Sequence, residues 1–392
     1  MSPLQQINDI TAKGPAGLEE ADRAALLQAA QKLVETLENP FEKIIRLTFG
    51  IYDPISLRLA IDMNLADIAL AHRAPISLEE LAEKSKTDLA LLQRVLRMLI
   101  PLGVFVESEP SKYAVTPFTP VLATGSPARE AIIHFTHVSH STVFMPEYFE
   151  ANGYKNPNDS GDTPFSFGER CPGETYFDFL AKPENARLSH AFNQTMTMQR
   201  GDPNAPFPDG YPAQDRLKID DPERVLFVDV GGGIGHQVQK FHEKYPSLSG
   251  KLALEDLPQV LEKANDLPSD FIKVGHDFFT PQPDAVKNAK AFYFRTVLHD
   301  WPEKQSVTIL KHIADVMADD SVILIHEIVL PESGVTHLEA KIDLHMLNLG
   351  ALERTEKQWR QLAALVGLDV NGIWMTNEDL GRRGIIELGK KK

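Results

Sequence analysis

The sequence predicts a doubly wound α/β sheet of the Rossmann-like type, preceded by a mainly helical domain of winged-helix pattern. Three observations carry this. An apolar, β-branched run, Val225 to Val230, breaks at a cluster of glycines and resumes with helical spacing through Val238 and Phe241. Beyond it, short apolar strands alternate with helices, as parallel strands with crossover helices do. Ahead of it, the stretch from Pro54 to Val115 reads as helices followed by a hairpin, with Glu109, Pro110 and Ser111 at the hairpin turn.

The chain has 392 residues, enough for two or three domains with a sizeable core. Its hydrophobic fraction of 43% and charged fraction of 24% are those of an ordinary globular protein. A formal charge of -15 argues against nucleic acid or an anionic membrane surface as a main partner. The single cysteine, Cys171, rules out an internal disulfide framework and fits a reducing compartment. The opening MSPLQQINDI lacks a signal-peptide pattern and no apolar run is long enough to span a bilayer, so a cytoplasmic protein is expected.

In chain order, residues 1 to 40 carry Ala25, Leu26, Ala29, Leu33 and Leu37 at helical spacing, an apolar stripe that needs a partner. One helix is expected from 54 to 71. Ser77 with Glu80 three residues on forms a capping-box pattern at the start of the next. The following amphipathic helix stands where a winged helix would read DNA, yet it offers only Arg94 and Arg97, and the wing carries Glu107 and Glu109. A packing or dimerisation role fits those charges better. Residues 121 to 200 look mainly helical. Within them His134, His137 and His140 invite a metal reading, but His134 and His140 point about 120° apart on a helix, so pocket-lining or core roles are favoured. The proline-dense GDPNAPFPDGYP marks a boundary. The expected divisions are 1–120, 121–205 and 206–392.

The glycine turn fixes the class of ligand. A dinucleotide fingerprint would place its third glycine at position 236, where His236 stands. The pattern present is Asp229, Gly231, Gly233, Gly235. A carboxylate closing the strand suits a cationic amino-acid ligand and repels a pyrophosphate, which points to S-adenosylmethionine. A glycine turn with no ligand is the plainer alternative.

Ligands in such sheets lie outside the C-terminal strand ends. There the sequence offers Asp256 for ribose hydroxyls or, alternatively, as a helix N-terminal acid, then Asp277 and Phe278 for an adenine edge and face. Next come His299, Asp300 and Trp301, then Glu327, and Glu353 after a long helix. A strand-end histidine with two distant glutamates suggests a general base held in one tautomer. Such a base deprotonates a phenol, and methyl transfer from a sulfonium to phenolate cancels charge without a metal. His-Asp before Trp-Pro also reads as a capped turn.

VDVGGGIG, EDLPQV, GHDFF, RTVLHDW, IHEIVLP and LERTEKQW, in this order and spacing, resemble class I S-adenosylmethionine-dependent O-methyltransferases of the caffeate and hydroxyindole type and their fungal secondary-metabolism relatives. The resemblance runs from about residue 50 to the C-terminus. It implies a Rossmann-like methyltransferase sheet with an N-terminal winged-helix dimerisation domain, a homodimer, and S-adenosyl-L-methionine as cofactor. It implies that Asp229, Gly231, Gly233 and Asp256 hold the methionine and ribose parts, with Asp277, Phe278 and Trp301 at the adenine. His299 becomes the base, oriented by Glu327 and Glu353, and FNQTMTM brings Phe192, Asn193 and Met196 to the substrate pocket. Gly350-Ala351-Leu352 departs from the family's Gly-Gly-Lys and bears on substrate identity. Fungal members with pericyclic or dehydration chemistry on the same fold are the first alternative, in which Arg200, Arg295 and His134 polarise a carbonyl. Ordinary ion pairing is the competing role for those arginines. A winged-helix regulator that binds the cofactor without turnover is the second alternative.

Overall fold

Strands buried on both faces need helices on both faces, and the C-terminal part of the chain supplies them. The structure is a computed structural model describing residues 2–14, 17–199, 206–376 and 382–391. It divides into two units, 1–132 and 133–392, with the division inside one helix. Helices 133–199 therefore belong to the unit that holds the sheet.

The first unit begins with α1 (Pro3–Lys13), α2 (Glu20–Leu37) and α3 (Pro40–Phe49). No side chain of α1 or α3 is buried, and Leu33, Leu37, Phe41 and Ile44 are exposed. In place of one helix over 54–71 there are two, α4 (Tyr52–Asp62) and α5 (Leu65–His72), because Asn64 takes a left-handed φ of 53° between them. After β1 (Ile76–Ser77) comes α6 (Leu78–Ser85), where Ser77 accepts the Glu80 N–H at 3.1 Å. Glu80 does not complete the box; it pairs with Lys84 and His72. Helix α7 (Leu89–Leu99) buries Leu92, Val95, Leu96 and Leu99, and β2 (Phe105–Glu109) and β3 (Lys112–Val115) form the hairpin, in sheet order β1-β3-β2. This is the winged-helix pattern with its third helix used for packing.

Helix α8 (Pro127–Thr142) spans the division, followed by α9 (Met145–Ala151), α10 (Pro164–Gly168), α11 (Tyr176–Ala181) and α12 (Ala186–Gln199). After α13 (Ala213–Arg216) the sheet elements run in order: β4 (Val225–Val230), α14 (His236–Lys244), β5 (Lys251–Asp256), α15 (Pro258–Leu261), β6 (Ile272–Gly275), β7 (Ala291–Arg295), α16 (Glu303–Val316), β8 (Val322–Leu330). The remainder is α17 (His337–Asn348), β9 (Arg354–Thr355), α18 (Glu356–Leu365), β10 (Leu368–Met375) and β11 (Arg383–Lys390).

The sheet order is β10-β11-β8-β7-β4-β5-β6, with β11 alone reversed and antiparallel to both β8 and β10, and β9 pairs with β8. Chain order reverses between β4 and β7, which opens a crevice at their C-terminal ends. Alternation splits the core: Val228, Val230, Phe292, Phe294, Ile323 and Ile325 pack on one face, and Phe227, Leu254, Tyr293 and Leu324 on the other. Buried Glu387 on β11 anchors the chain just ahead of the sheet, accepting the Tyr211 hydroxyl at 2.6 Å and two Arg216 nitrogens at 2.6 and 2.5 Å. No helix among the described residues is long and apolar enough to cross a membrane.

Candidate active site

The glycine turn is built by left-handed backbone and close packing. Gly231, Gly233 and Gly235 have φ of 67°, 64° and 90°, a region that side chains other than glycine's disfavour. A Cβ on Gly232 would lie 2.5 Å from both Asp229 Cγ and Leu254 Cδ1. The Gly231 and Gly232 N–H groups donate to the Glu255 carbonyl at 2.8 and 3.2 Å. Gly233 N–H donates to Asp256 Oδ2 at 2.7 Å, while Oδ1 of Asp256 accepts the Leu257 N–H at 2.8 Å. Asp256 thus spends one oxygen on the glycine turn and the other on the N–H of the next residue, while α15 has no acid in its first turn. Asp229 is buried, and its Oδ2 accepts the Val238 N–H at 3.1 Å, tying the strand end to α14 beneath the turn.

At the neighbouring strand ends, Asp277 is exposed and accepts the Phe279 N–H at 3.0 Å. Phe278 approaches the turn: its Cε1 would be 3.7 Å from a Cβ on Gly231. Trp301 stands edge-on to Phe279 at 4.7 Å and to Phe278 at 6.1 Å. From Gly231 to Gln239 there is no lysine or arginine. Carboxylates, aromatic faces and a turn with no room for side chains fit a cationic adenosyl ligand and not a diphosphate.

Between β7 and α16 the chain makes a tight turn that carries His299. Thr296 enters it with a left-handed φ of 50°. Buried Glu327, within β8, accepts the Val297 and Leu298 N–H groups on Oε1 at 2.9 and 3.0 Å. Its Oε2 lies 3.9 Å from Nδ1 of His299. Glu353 stands closer, with Oε1 2.9 Å from the same nitrogen, and its own N–H donates to Asp343 Oδ1 at 2.9 Å. On the other side of the ring, Nε2 is 3.5 Å from Asp300 Oδ1. Leu352, in the Gly-Ala-Leu departure, donates its N–H to the His299 carbonyl at 3.0 Å.

Electrostatics follow from this arrangement. Burial by itself disfavours the imidazolium, but Glu327, Asp300 and Glu353 outweigh it and raise the His299 pKa to about 10. Burial raises Asp300 to about 7 and also pushes Glu327 up, with His299 opposing in both cases. The His299 side chain keeps 16% of its surface exposed, so one edge can meet a substrate.

The sequence alone gives Arg354 no role. Its buried guanidinium donates to the Leu298 and Trp301 carbonyls at 2.9 Å each and lies over Trp359 at 5.0 Å. It clamps both ends of the turn that presents His299. Asp300 flanks the histidine in sequence, and its 3.5 Å approach to Nε2 is what gives it a part in the site.

From Trp301, two residues after His299, a run of aromatic rings makes a wall: Trp301 to Phe177 at 5.6 Å, Phe177 to Phe192 at 6.0 Å, Phe192 to His134 at 5.5 Å. Met196 is half-buried one turn beyond Phe192, whereas Asn193 is exposed. Arg295 is half-buried at the end of β7, in register with His326. Arg200 lies outside the described residues. The three histidines of α8 part company: His134 bonds Tyr176, His137 stacks on Phe179 at 5.6 Å, and His140 pairs with Glu169 at 2.9 Å. Among the described residues no group of three or more metal-ligating side chains converges.

Residues 217–369 match the O-methyltransferase domain family, and residues 45–125 match the O-methyltransferase dimerisation domain. The chain belongs to the O-methyltransferase family. It is 35% identical to the methyltransferase cfoC of Aspergillus candidus over 94% of this chain and 90% of that one. It is 33% identical to the demethylsterigmatocystin 6-O-methyltransferase of Aspergillus flavus, over 84% of each. A solved structure of LepI in complex with S-adenosylmethionine superposes with a TM-score of 0.83 at 28% identity, covering 99% of both chains. This O-methyltransferase therefore uses S-adenosylmethionine, acts on a small molecule, and forms a homodimer through its N-terminal unit.

Proposed function

We propose that this O-methyltransferase methylates a hydroxyl of an aromatic or polyketide-like metabolite without a metal, using His299 as general base. The observation that carries the reading is the 2.9 Å contact of His299 Nδ1 with Glu353. A relative named for demethylsterigmatocystin supports an acceptor of that kind.

When bound, S-adenosylmethionine supplies a methyl group on a sulfonium; Asp256, Phe278 and Trp301 would hold its adenosyl part, and the glycine turn over Asp229 its amino-acid part. Glu353 takes the Nδ1–H of His299, which leaves the Nε2 lone pair for the acceptor's hydroxyl proton. Phenols titrate near pH 10, as tyrosine does. A histidine raised to about 10 therefore accepts a phenolic proton with little net free-energy change. The proton then rests on Nε2 facing Asp300, and the acceptor oxygen is left as the nucleophile for the methyl group that bound S-adenosylmethionine would give up, its S–C bond breaking to leave S-adenosylhomocysteine. Phe177, Phe192 and Trp301 exclude water, and the loss of opposite charges is favoured in such a dry site.

Non-methylating pericyclic chemistry is the rival reading. A strong base has no use in it, and the clamped His299 dyad speaks for proton abstraction. Incubation with methyl-labelled S-adenosylmethionine and a panel of phenols and polyketides, for wild type and His299→Ala, is the test. Label transfer by wild type and its loss in the variant is expected. Cofactor binding with isomerisation of an unsaturated substrate and no label transfer would overturn the reading.

A further inference from the structure

Two histidines outside the His299 dyad face each other across the acceptor wall. His134 of α8 and His345 of α17 stand 6.1 Å apart, centroid to centroid, with planes at 80°. Phe135 is 5.4 Å from His345, and Phe192 is 5.5 Å from His134, so the pair is framed by hydrocarbon. We propose that His345, with His134, is a specificity-determining residue that fixes the acceptor through an uncharged carbonyl beside its reacting hydroxyl. This rests on the methyltransferase reading above.

The hydrogen-bond inventory is the first reason. The Tyr176 hydroxyl lies 3.1 Å from Nδ1 of His134, and among the described residues it has no other acceptor. Tyr176 therefore donates, which puts the His134 proton on Nε2 and leaves an N–H donor unspent. Neither nitrogen of His345 has a protein hydrogen-bond partner among the described residues, though the ring is half-buried. Neither ring's nitrogens are among the sealed, partnerless polar atoms of the interior, so these donors are open to exchange water for a ligand's acceptor.

Charge is the second reason. Burial holds His134 at about 3 and His345 at about 4, so both are neutral donors near pH 7. His345 lies on α17 two residues after Asp343, which accepts the Glu353 N–H, so it stands toward the reacting end. Glu327, Glu353, Asp300 and Asp343 outnumber the cations at that end, His299 and the Arg354 and Arg383 guanidiniums, so a carboxylated acceptor is disfavoured. An N–H donor in a negative field selects a neutral acceptor atom. A hydroxyl with a carbonyl at the adjacent or peri position meets His299 and the histidine pair together.

The test uses full-length enzyme loaded with S-adenosylhomocysteine, and two probes on one skeleton: 1-hydroxyanthraquinone and 1-hydroxyanthracene. Equilibrium binding is measured for wild type, His345→Phe and His345→Gln, and methylation is measured in parallel with S-adenosylmethionine. We expect wild type to prefer the quinone by about ten-fold or more. His345→Phe collapses that ratio toward one through KM with little change in kcat, and His345→Gln, which keeps a donor, retains part of it. A carboxylated hydroxyanthraquinone binds more weakly than the parent. Equal wild-type affinity for the two probes, no binding of either, or an unchanged ratio in His345→Phe overturns the proposal. Preferential binding of the quinone with no methyl transfer from any acceptor sustains the carbonyl site and overturns the methyltransferase reading instead. Methyl transfer without discrimination does the reverse. S-adenosylhomocysteine affinity reports whether each variant is folded.

Discussion

Nδ1 of His299 stands 2.9 Å from Oε1 of Glu353, 54 positions later in the chain, whereas Oε2 of Glu327 is 3.9 Å away. One glutamate orients the ring by hydrogen bond. The other acts by charge and by holding the turn's backbone N–H groups. His299→Ala is therefore expected to lower kcat by roughly 10²–10⁴-fold, the usual contribution of a positioned base. Glu353→Gln, which keeps a hydrogen-bond acceptor without charge, should cost less than Glu353→Ala. Steady-state methylation kinetics on all three variants give the order; equal losses for Gln and Ala would show that charge alone matters.

The pH profile carries the same charge in another form. With His299 raised to about 10, the neutral base grows with pH across the range 7 to 9, so kcat/KM for a phenol should rise with pH there. Glu353→Gln removes a carboxylate that raises this pKa and moves the rising limb to lower pH. Stability runs the opposite way. A folded pKa above the unfolded value of about 6.5 gives stabilisation that is full below pH 6.5 and is lost as pH rises through 10. Melting temperatures of ligand-free protein between pH 7 and 10 should fall, and His299→Ala should flatten that part of the curve.

His134 and His345 titrate in the other sense. Their folded pKa values of about 3 and 4 lie below the unfolded 6.5, so their stabilisation is present above pH 6.5 and is lost as pH falls. Each contributes a slope of up to about 1.4 kcal/mol per pH unit in that window. His134→Phe should reduce the loss of melting temperature between pH 6.5 and 4.5. A variant as acid-sensitive as wild type would show that other groups dominate.

Arg354 holds two carbonyls of the His299 turn and Ser306 besides, at 3.1 Å. Replacing it by methionine leaves those carbonyls without a donor in a buried site, a loss of about 2–4 kcal/mol. Urea unfolding measures that loss. A drop in kcat with cofactor affinity retained would separate its effect on the turn from its effect on the fold.

At the cofactor turn, Gly232→Ala introduces a Cβ at 2.5 Å from Asp229 and Leu254. Neither neighbour is free to retreat, since Asp229 is bonded to α14 and Leu254 is core. We expect S-adenosylmethionine affinity to fall by about ten-fold or more, read by calorimetry. An unchanged affinity would show that the turn can shift as a unit.

Much of this was legible in the chain itself. The continuous apolar strand at 225–230, the glycine spacing and the strand–helix alternation follow local rules of periodicity and steric freedom, and so specify a doubly wound sheet and its ligand-bearing edge. The few basic residues on the helix before the wing, Arg94 and Arg97, with Glu107 and Glu109 on the wing, likewise argue against DNA. The break at Asn64 was not legible, because its left-handed turn is set by packing of α4 and α5 and asparagine is permitted in either backbone state. Nor was the partition between Glu327 and Glu353, or the tie between Asp229 and Val238, since both depend on distances across strands and helices far apart in sequence. Arg354 and His345 show the limit most clearly. A charged or aromatic residue in a helical or turn pattern reads locally as surface. Only tertiary burial, which removes water as a partner and leaves protein groups or a ligand to replace it, gave one the task of clamping a catalytic turn and the other an unspent hydrogen bond.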